Sequence, residues 1–204
     1  MSAGSGASPS SASKLFWRGR APLVLASASP RRVALLRQAG AEFTVVDPGP
    51  DREWPGQAEP RTGVRALALD KARRVAATRR VAVVVGADTV VVVRGQRLGK
   101  PENREQARTM LLQLHGRAHE VWTGLAVVQG GEQRTAAERT LVRMAKLAER
   151  DIDDYLRSGE SLDKAGAYGI QGLAGQFVKG IEGDYFNVVG LPLARLRALL
   201  EEFA

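Results

Sequence analysis

The chain has 204 residues, of which 44% are hydrophobic and 25% charged, and its formal net charge is +8. This length supports one sizeable core or two small lobes that share one. The absence of cysteine excludes disulfides and thiolate metal sites and is typical of a cytoplasmic protein, while two histidines, His115 and His119, are too few for a multi-histidine metal site. No apolar run reaches the ~18 residues of a membrane span, so we expect no membrane partner.

Two regions are expected along the chain. Residues 1–20 are rich in Ser, Ala and Gly, contain no acid, and are predicted to be a disordered tail, and residues 21–204 are predicted to form one domain. The predicted strands are 23–26, 43–46, 81–85, 89–93, 120–128 and 134–147, and the predicted helices are 30–39, 61–77, 103–114, 150–157 and 191–203. Because hairpins alternate with helix-linked strands, the fold class is α/β with a mixed sheet and flanking helices.

The first polar cluster lies where a strand meets a helix, at Ser27-Ala-Ser-Pro-Arg-Arg32. Ser29 is the expected N-cap and Pro30 the first helical residue. Free N–H groups at the helix start, the Ser27 hydroxyl and the guanidinium groups of Arg31 and Arg32 would suit a phosphate. The alternative is an ordinary cap followed by two solvated arginines, and the two interpretations carry about equal weight.

Asp88 and two lysines follow in the middle of the chain. Asp88 is expected in a turn, Gly86-Ala-Asp88, between two strands, where a carboxylate could be a metal ligand or general base, although a turn Asp that caps backbone N–H groups is somewhat more common. Lys100 precedes Pro101 and could present a charge to phosphate, or be an ordinary surface lysine. Lys71 lies within a helix and could instead extend its ammonium group to solvent.

A glycine-rich stretch, Asp163-Lys-Ala-Gly-Ala-Tyr-Gly-Ile-Gln-Gly172, combines small residues with a carboxylate, an ammonium, a phenol and an amide. Small residues allow a ligand to approach the backbone closely, so the stretch predicts part of a binding site. Asn187, in a segment predicted as turn, short strand and helix entry, could contact a ligand, but a structural role explains it at least as well.

Together these segments resemble the Maf family of nucleoside triphosphate pyrophosphatases from residue 23 to about 203. The resemblance implies an elongated, ITPase-like fold with two lobes around a central cleft, a cytoplasmic location and a homodimer. It also implies cleavage between the α- and β-phosphates with a divalent cation, Mg²⁺ or Mn²⁺. The stretch at 163–172 is similar to that of the branch acting on dTTP and UTP.

The resemblance also assigns roles to residues. Asp88 matches the proton acceptor and is expected to bind the metal together with a second acid. The family usually has a Glu where Arg52 stands, and Glu53 or Asp51 could replace it after a small loop shift. Arg31, Thr89 and Gln171 match positions linked to base selection. The other expected substrate-binding residues are Ser27, Arg32, Lys71, Lys100 and Lys164.

Other functions remain compatible with the sequence. A protein of the same fold could act on 7-methyl-GTP or on modified nucleotides. A basic nucleic-acid-binding protein without catalysis is a third hypothesis, but the basic residues are scattered and aromatic residues are only 5% of the chain.

Overall fold

The computed structural model describes residues 16–204. Its strands are β1 Leu23–Ala26, β2 Thr44–Val46, β3 Val83–Val93, β4 Gln96–Leu98, β5 Ala118–Gln129, β6 Glu132–Met144 and β7 Val178–Glu182. Its helices are α1 Pro30–Gln38, α2 Pro60–Ala76, α3 Arg104–Leu114, α4 Glu149–Arg157, α5 Tyr185–Val189 and α6 Leu193–Glu201. None of the helices in this part of the chain is both long and apolar enough to cross a bilayer.

The seven strands form one mixed sheet in the order β2-β1-β3-β5-β6-β7, with β4 pairing to β3. The strands β2, β1 and β3 are mutually parallel, and the remaining pairs are antiparallel. The predicted α/β class with a mixed sheet is therefore confirmed. The parallel strands β1 and β2 are connected through α1, whereas the antiparallel pairs β3–β4 and β5–β6 are joined by tight turns.

Strand β3 is one continuous strand, so the prediction of two strands separated by a turn at Asp88 was wrong. It pairs with β5 from Val84 to Val92, with Asp88 opposite Gly124. Gly86 serves packing rather than a turn, because a Cβ at this position would lie 2.2 Å from the carbonyl oxygen of Ala68 on α2. The missing side chain lets α2 lie directly against β3.

The other edge of β3 is shared by two short strands. Residues 83–86 pair with β1 and residues 91–93 pair with β4, so residues 87–90 lie between the two partners. The apolar core divides in a similar way: Val83 and Val85 belong to a cluster with α1 and α6, and Val91 and Val93 to a cluster with α3 and α4. The middle of β3 thus lies at the junction of two packed halves.

Segment 185–189 is a short helix, α5, and not the predicted strand. Asp184 caps it by accepting a hydrogen bond from the Phe186 N–H at 2.7 Å. Asn187 is fully buried, and its Nδ2 donates to the Val121 carbonyl at 3.0 Å and to the Thr140 hydroxyl at 2.9 Å. This supports the structural interpretation of Asn187, which ties α5 to β5 and β6. Strand β7 was not predicted.

Part of the predicted tail belongs to the packed structure. Trp17 is only 8% exposed and joins the core cluster of α1 and α6, and its Nε1 donates to the Ala21 carbonyl at 2.9 Å. The prediction for residues 1–15 lies outside the described residues.

Candidate active site

A cavity of about 500 Å³ opens beside the middle of β3. Its walls are the loop between β2 and α2, the inner face of α2, and the glycine-rich segment 163–172. The expected site residues that line it are Arg31, Lys71, Asp88, Thr89, Lys100, Lys164 and Gln171. Residues predicted from five separate segments therefore meet in one cavity.

Lys71 is the centre of the charged part of this cavity. Its Nζ lies 2.6 Å from Oδ1 of Asp88 and 2.7 Å from Oδ1 of Asp51. The Lys71 side chain is 8% exposed and that of Asp88 14%. Because Ala68 and Ala72 bury the same face of α2, the helix directs Lys71 toward the strand. Lys71 is thus a buried, paired ammonium group, which rules out the solvent-directed alternative.

Asp51 is the acid that the β2–α2 loop brings to the site. Its Oδ2 accepts from Lys100 at 3.2 Å. Partial burial opposes ionisation of Asp51, but its hydrogen bonds to Lys71 and Lys100 and their charges outweigh this effect and lower the pKa to about 2. Glu53, expected as a metal ligand, is exposed and does not line the cavity. The ammonium groups of Lys71 and Lys100 both contact Asp51 and so fix the β2–α2 loop. Asp51, and not Glu53, is therefore the loop acid that lies in the site.

Arg32 and Ser27 lie behind the cavity wall, although both were expected to contact the substrate. The Arg32 guanidinium donates to the Gly190 carbonyl at 2.9 Å and to the Thr89 hydroxyl at 3.0 Å. Ser27 is 3% exposed, and its Oγ accepts from the Ser29 N–H at 3.1 Å. Arg32 therefore joins α1, β3 and the end of α5, and it supports the cavity through Thr89.

Arg31, in the first turn of α1, links this helix to the glycine-rich segment. Its NH1 lies 2.6 Å from Oδ2 of Asp163, and Oδ1 of Asp163 lies 2.6 Å from Lys164 Nζ. Burial opposes ionisation of Asp163, but hydrogen bonds from Lys164 and Arg31 prevail and lower its pKa. One carboxylate thus holds two cations that were both expected to face the substrate.

Tyr168 forms part of the cavity wall and rests on a buried histidine. Its hydroxyl lies 2.7 Å from Nε2 of His119, and the two rings meet edge to face. Burial lowers the pKa of His119 to about 4, so the imidazole is neutral at pH 7. Gly166, at φ +70°, lies in the same segment and packs against Val91, with a Cβ position 3.0 Å from a Val91 methyl group. These contacts fix the segment against β5 through His119 and against β3 through Val91.

Gln171 lies at the exposed rim of the same segment and lines the cavity. Within residues 16–204 its side chain makes no hydrogen bond, so its amide donor and acceptor are both free for a ligand. An amide can donate and accept side by side, which suits the edge of a nucleobase.

Sequence reasoning missed Arg52, Trp54 and Glu160, which also line the cavity. The Arg97 guanidinium lies over the Trp54 ring, 4.5 Å from the ring centre. This cation–π contact stabilises the β2–α2 loop. Glu160 accepts from the Leu173 N–H at 2.9 Å and shapes the glycine-rich segment. Arg52 had a signal in the sequence, since it stands where the resemblance expects a Glu, whereas no local pattern marked Trp54 or Glu160 as a site residue.

The charged groups fit a divalent cation only in part. Across residues 16–204, no three His, Cys, Asp or Glu side chains gather into a metal-binding group. Oδ1 of Asp51 and Oδ1 of Asp88 both contact Nζ of Lys71, at 2.7 and 2.6 Å. The two carboxylates offer the hard oxygen donors that Mg²⁺ prefers. A cation there would complete its coordination with water and phosphate oxygens, as Mg²⁺ commonly does in phosphate-binding sites.

Comparisons with known proteins show the family of the chain and the similarity of its fold. The chain is 50% identical over 181 residues to the dTTP/UTP pyrophosphatase of Symbiobacterium thermophilum, covering 89% of this chain and 93% of that protein. It is 51% identical over 183 residues to the dTTP/UTP pyrophosphatase of Moorella thermoacetica, covering 89% and 94%. The fold is similar to that of the Staphylococcus aureus Ham1 protein, with a TM-score of 0.51 at 16% identity over 90% of this chain and 100% of that one. Residues 22–203 match the family described as Maf-like protein, and the chain therefore belongs to the Maf family.

Proposed function

We propose that this protein hydrolyses nucleoside triphosphates between the α- and β-phosphates, releasing a nucleoside monophosphate and pyrophosphate, and that dTTP and UTP are its substrates. The observation that carries the proposal is the Lys71 ammonium group held between Asp88 and Asp51 in the cavity. The relatives from Symbiobacterium thermophilum and Moorella thermoacetica, about half identical to this chain, are named dTTP/UTP pyrophosphatase.

The cations of the cavity suit a triphosphate, which carries about four negative charges. Lys71 and Lys100 face one end of the cavity around Asp51, and Arg31 and Lys164 meet Asp163 at another. Fixed positive groups of this kind stabilise the charge that develops on the phosphoryl oxygens and need little reorganisation during the reaction.

In the proposed chemistry, Asp88 accepts a proton from the attacking water. The water oxygen then attacks the α-phosphorus in line, the bond from that phosphorus to the bridging oxygen breaks, and pyrophosphate leaves with the bond electrons. Lys71 keeps Asp88 in place through their 2.6 Å contact. A divalent cation bound by Asp88 and Asp51 would neutralise charge on the phosphates.

Base selection is proposed for Gln171. Its amide Nε2 can donate to a pyrimidine carbonyl while its Oε1 accepts from N3–H. Thymine and uracil present this donor and acceptor together, whereas neutral cytosine has no N3–H. The apolar residues Ile170 and Val188, which also line the cavity, would contact the ring faces.

The test is pyrophosphate release from a panel of nucleoside triphosphates with Mg²⁺ or Mn²⁺, for the wild type and Asp88→Asn. We expect dTTP and UTP to be cleaved fastest, and we expect Asp88→Asn to lower turnover about 10²- to 10⁴-fold, the usual contribution of a general base. The variant should unfold at nearly the wild-type urea concentration because Lys71 keeps Asp51 as a partner. Near wild-type turnover in Asp88→Asn would remove its role as base.

The same panel separates the alternatives. Faster cleavage of 7-methyl-GTP or of modified pyrimidine nucleotides would move the proposal to those substrates within the same reaction. Salt-sensitive DNA binding without any pyrophosphate release would favour a nucleic-acid-binding protein. Cytoplasmic location and a homodimer remain proposals, which fractionation and sedimentation would test.

A further inference from the structure

Arg52 is less committed to a protein partner than the other cavity cations Lys71, Arg31 and Lys164. Its side chain is 68% exposed, and its Nε lies 3.9 Å from Oδ2 of Asp70, at the outer limit of an ion pair. By contrast, Lys71 and Arg31 each contact a carboxylate at 2.6 Å. Asp70 is also shared, since Arg74 approaches the same oxygen at 2.9 Å. The Arg52 guanidinium therefore keeps most of its donors for a ligand.

The surroundings of Arg52 define what that ligand would be. Its neighbour Asp51 contacts both Lys71 and Lys100, and Arg52 lines the same cavity as these two lysines. Asp51 and Asp88 both contact Lys71, and Asp70 is shared between Arg52 and Arg74. Four cations, Arg52, Arg74, Lys71 and Lys100, are therefore set against three carboxylates. A planar guanidinium fork pairs with two oxygens of one phosphate, and lysines add point charges. A compact anion with several phosphate oxygens fits this set.

The position of this corner relates it to one part of the substrate. Gln171, the proposed base reader, belongs to the glycine-rich segment, whereas Arg52 belongs to the β2–α2 loop beside Asp51. We propose that Arg52 binds the pyrophosphate half of the substrate, together with Lys100, and holds it as the leaving group. The proposal rests on the proposed function, and it assigns a substrate-binding role to a residue that stands where an acid was expected.

The competing interpretation is a solvated arginine that only supports α2 through Asp70. The two can be separated because a supporting contact affects folding, whereas a binding contact affects pyrophosphate affinity. The pair with Asp70 is long and exposed, so its loss should change stability little.

The experiment is calorimetric titration of inorganic pyrophosphate into the full-length protein, in EDTA and at fixed ionic strength. We expect Arg52→Ala to weaken pyrophosphate affinity about tenfold and Arg52→Lys to lie between it and the wild type. Arg61→Ala is the matched control, because Arg61 lies on α2 but lines a separate cavity near α6. It should leave affinity unchanged. Binding of dTMP, the other product, should be equal in all four proteins.

Several results would overturn the proposal: no pyrophosphate binding by the wild type, equal affinity in Arg52→Ala, or the same loss of affinity for dTMP. An equal effect of Arg61→Ala would reduce the role of Arg52 to general surface charge. The nucleotide panel stands apart from this titration. If the protein releases pyrophosphate from nucleotides but Arg52→Ala binds pyrophosphate as tightly as the wild type, the proposed function stands and the role of Arg52 is refuted. If pyrophosphate binding depends on Arg52 but no nucleotide is hydrolysed, the proposed function is refuted and Arg52 is left as a pyrophosphate-binding residue only.

Discussion

Lys71 joins the stability of this protein to its proposed chemistry, and Lys71→Met tests that connection. Methionine keeps an unbranched apolar side chain that matches the lysine stem, but it lacks the ammonium group. The carboxylates of Asp88 and Asp51 would then face each other without the cation that lies 2.6 and 2.7 Å from them. We expect both folding stability and turnover to fall.

The size of the stability loss follows from the exposure of the three side chains. Removing one partner from a buried ion pair costs about 3–5 kcal/mol, because a charge remains without compensation. Lys71 and Asp88 are 8% and 14% exposed, but Asp51 is 53% exposed and recovers water. We therefore expect a loss near the lower limit, about 3 kcal/mol in unfolding free energy. For a chain of this length that corresponds to a fall of roughly 6–12 °C in the melting temperature.

Urea unfolding followed by circular dichroism measures this change, and the double variant Lys71→Met/Asp88→Asn is the control. Removing both charges should recover part of the loss, since no unpaired buried carboxylate remains at position 88. Turnover of Lys71→Met should fall at least about 100-fold, as expected when the positioning of a general base is lost. If the double variant lost the sum of the two single losses, or if Lys71→Met were as stable and active as the wild type, Lys71 would not couple folding to turnover.

Two further predictions concern the glycine-rich segment. The buried His119 has a pKa of about 4, below the ordinary value of about 6.5, so the unfolded chain binds a proton between these pH values that the folded chain does not. The unfolding free energy should therefore fall by up to about 3 kcal/mol as the pH drops from 6.5 to 4. Urea unfolding at several pH values measures this decline, and His119→Gln should make it smaller. A decline in unfolding free energy as steep as that of the wild type would contradict the role of His119. Gln171→Ala should reduce the ratio of kcat/KM for dTTP over dCTP about tenfold or more, through loss of the paired hydrogen bonds. A ratio equal to that of the wild type would show that another group reads the base.

The sequence predicted most elements because their signals are local. Apolar residues mark β1 and the inner face of α2, and Ser29 with Pro30 marks the start of α1. The failures lie where distant pairing overrides a local signal. Gly86-Ala-Asp88 has the composition of a turn, but hydrogen bonds to β5 keep it extended, and its glycine serves the approach of α2.

The candidate site divides in the same manner. Lys71, Asp88, Lys100 and Gln171 were predicted from their motifs, and the fold brings them into one cavity. The structure alone shows that Arg32 is used within the scaffold, through Gly190 and Thr89. Hydrogen bonds to partners so distant in the chain leave no mark in local sequence.

The sequence by itself determined the types of group available: cations for phosphate, a carboxylate for water and an amide for a base. Tertiary structure decided which of them face the cavity and which are held by one another. Asp51 and not Glu53 lies in the cavity, where the ammonium groups of Lys71 and Lys100 contact it. Arg31 pairs with Asp163, which is 132 positions away in the chain. Charge pairing depends on distance in space, and only the packing of α2 against β3 and of the loops around them sets those distances.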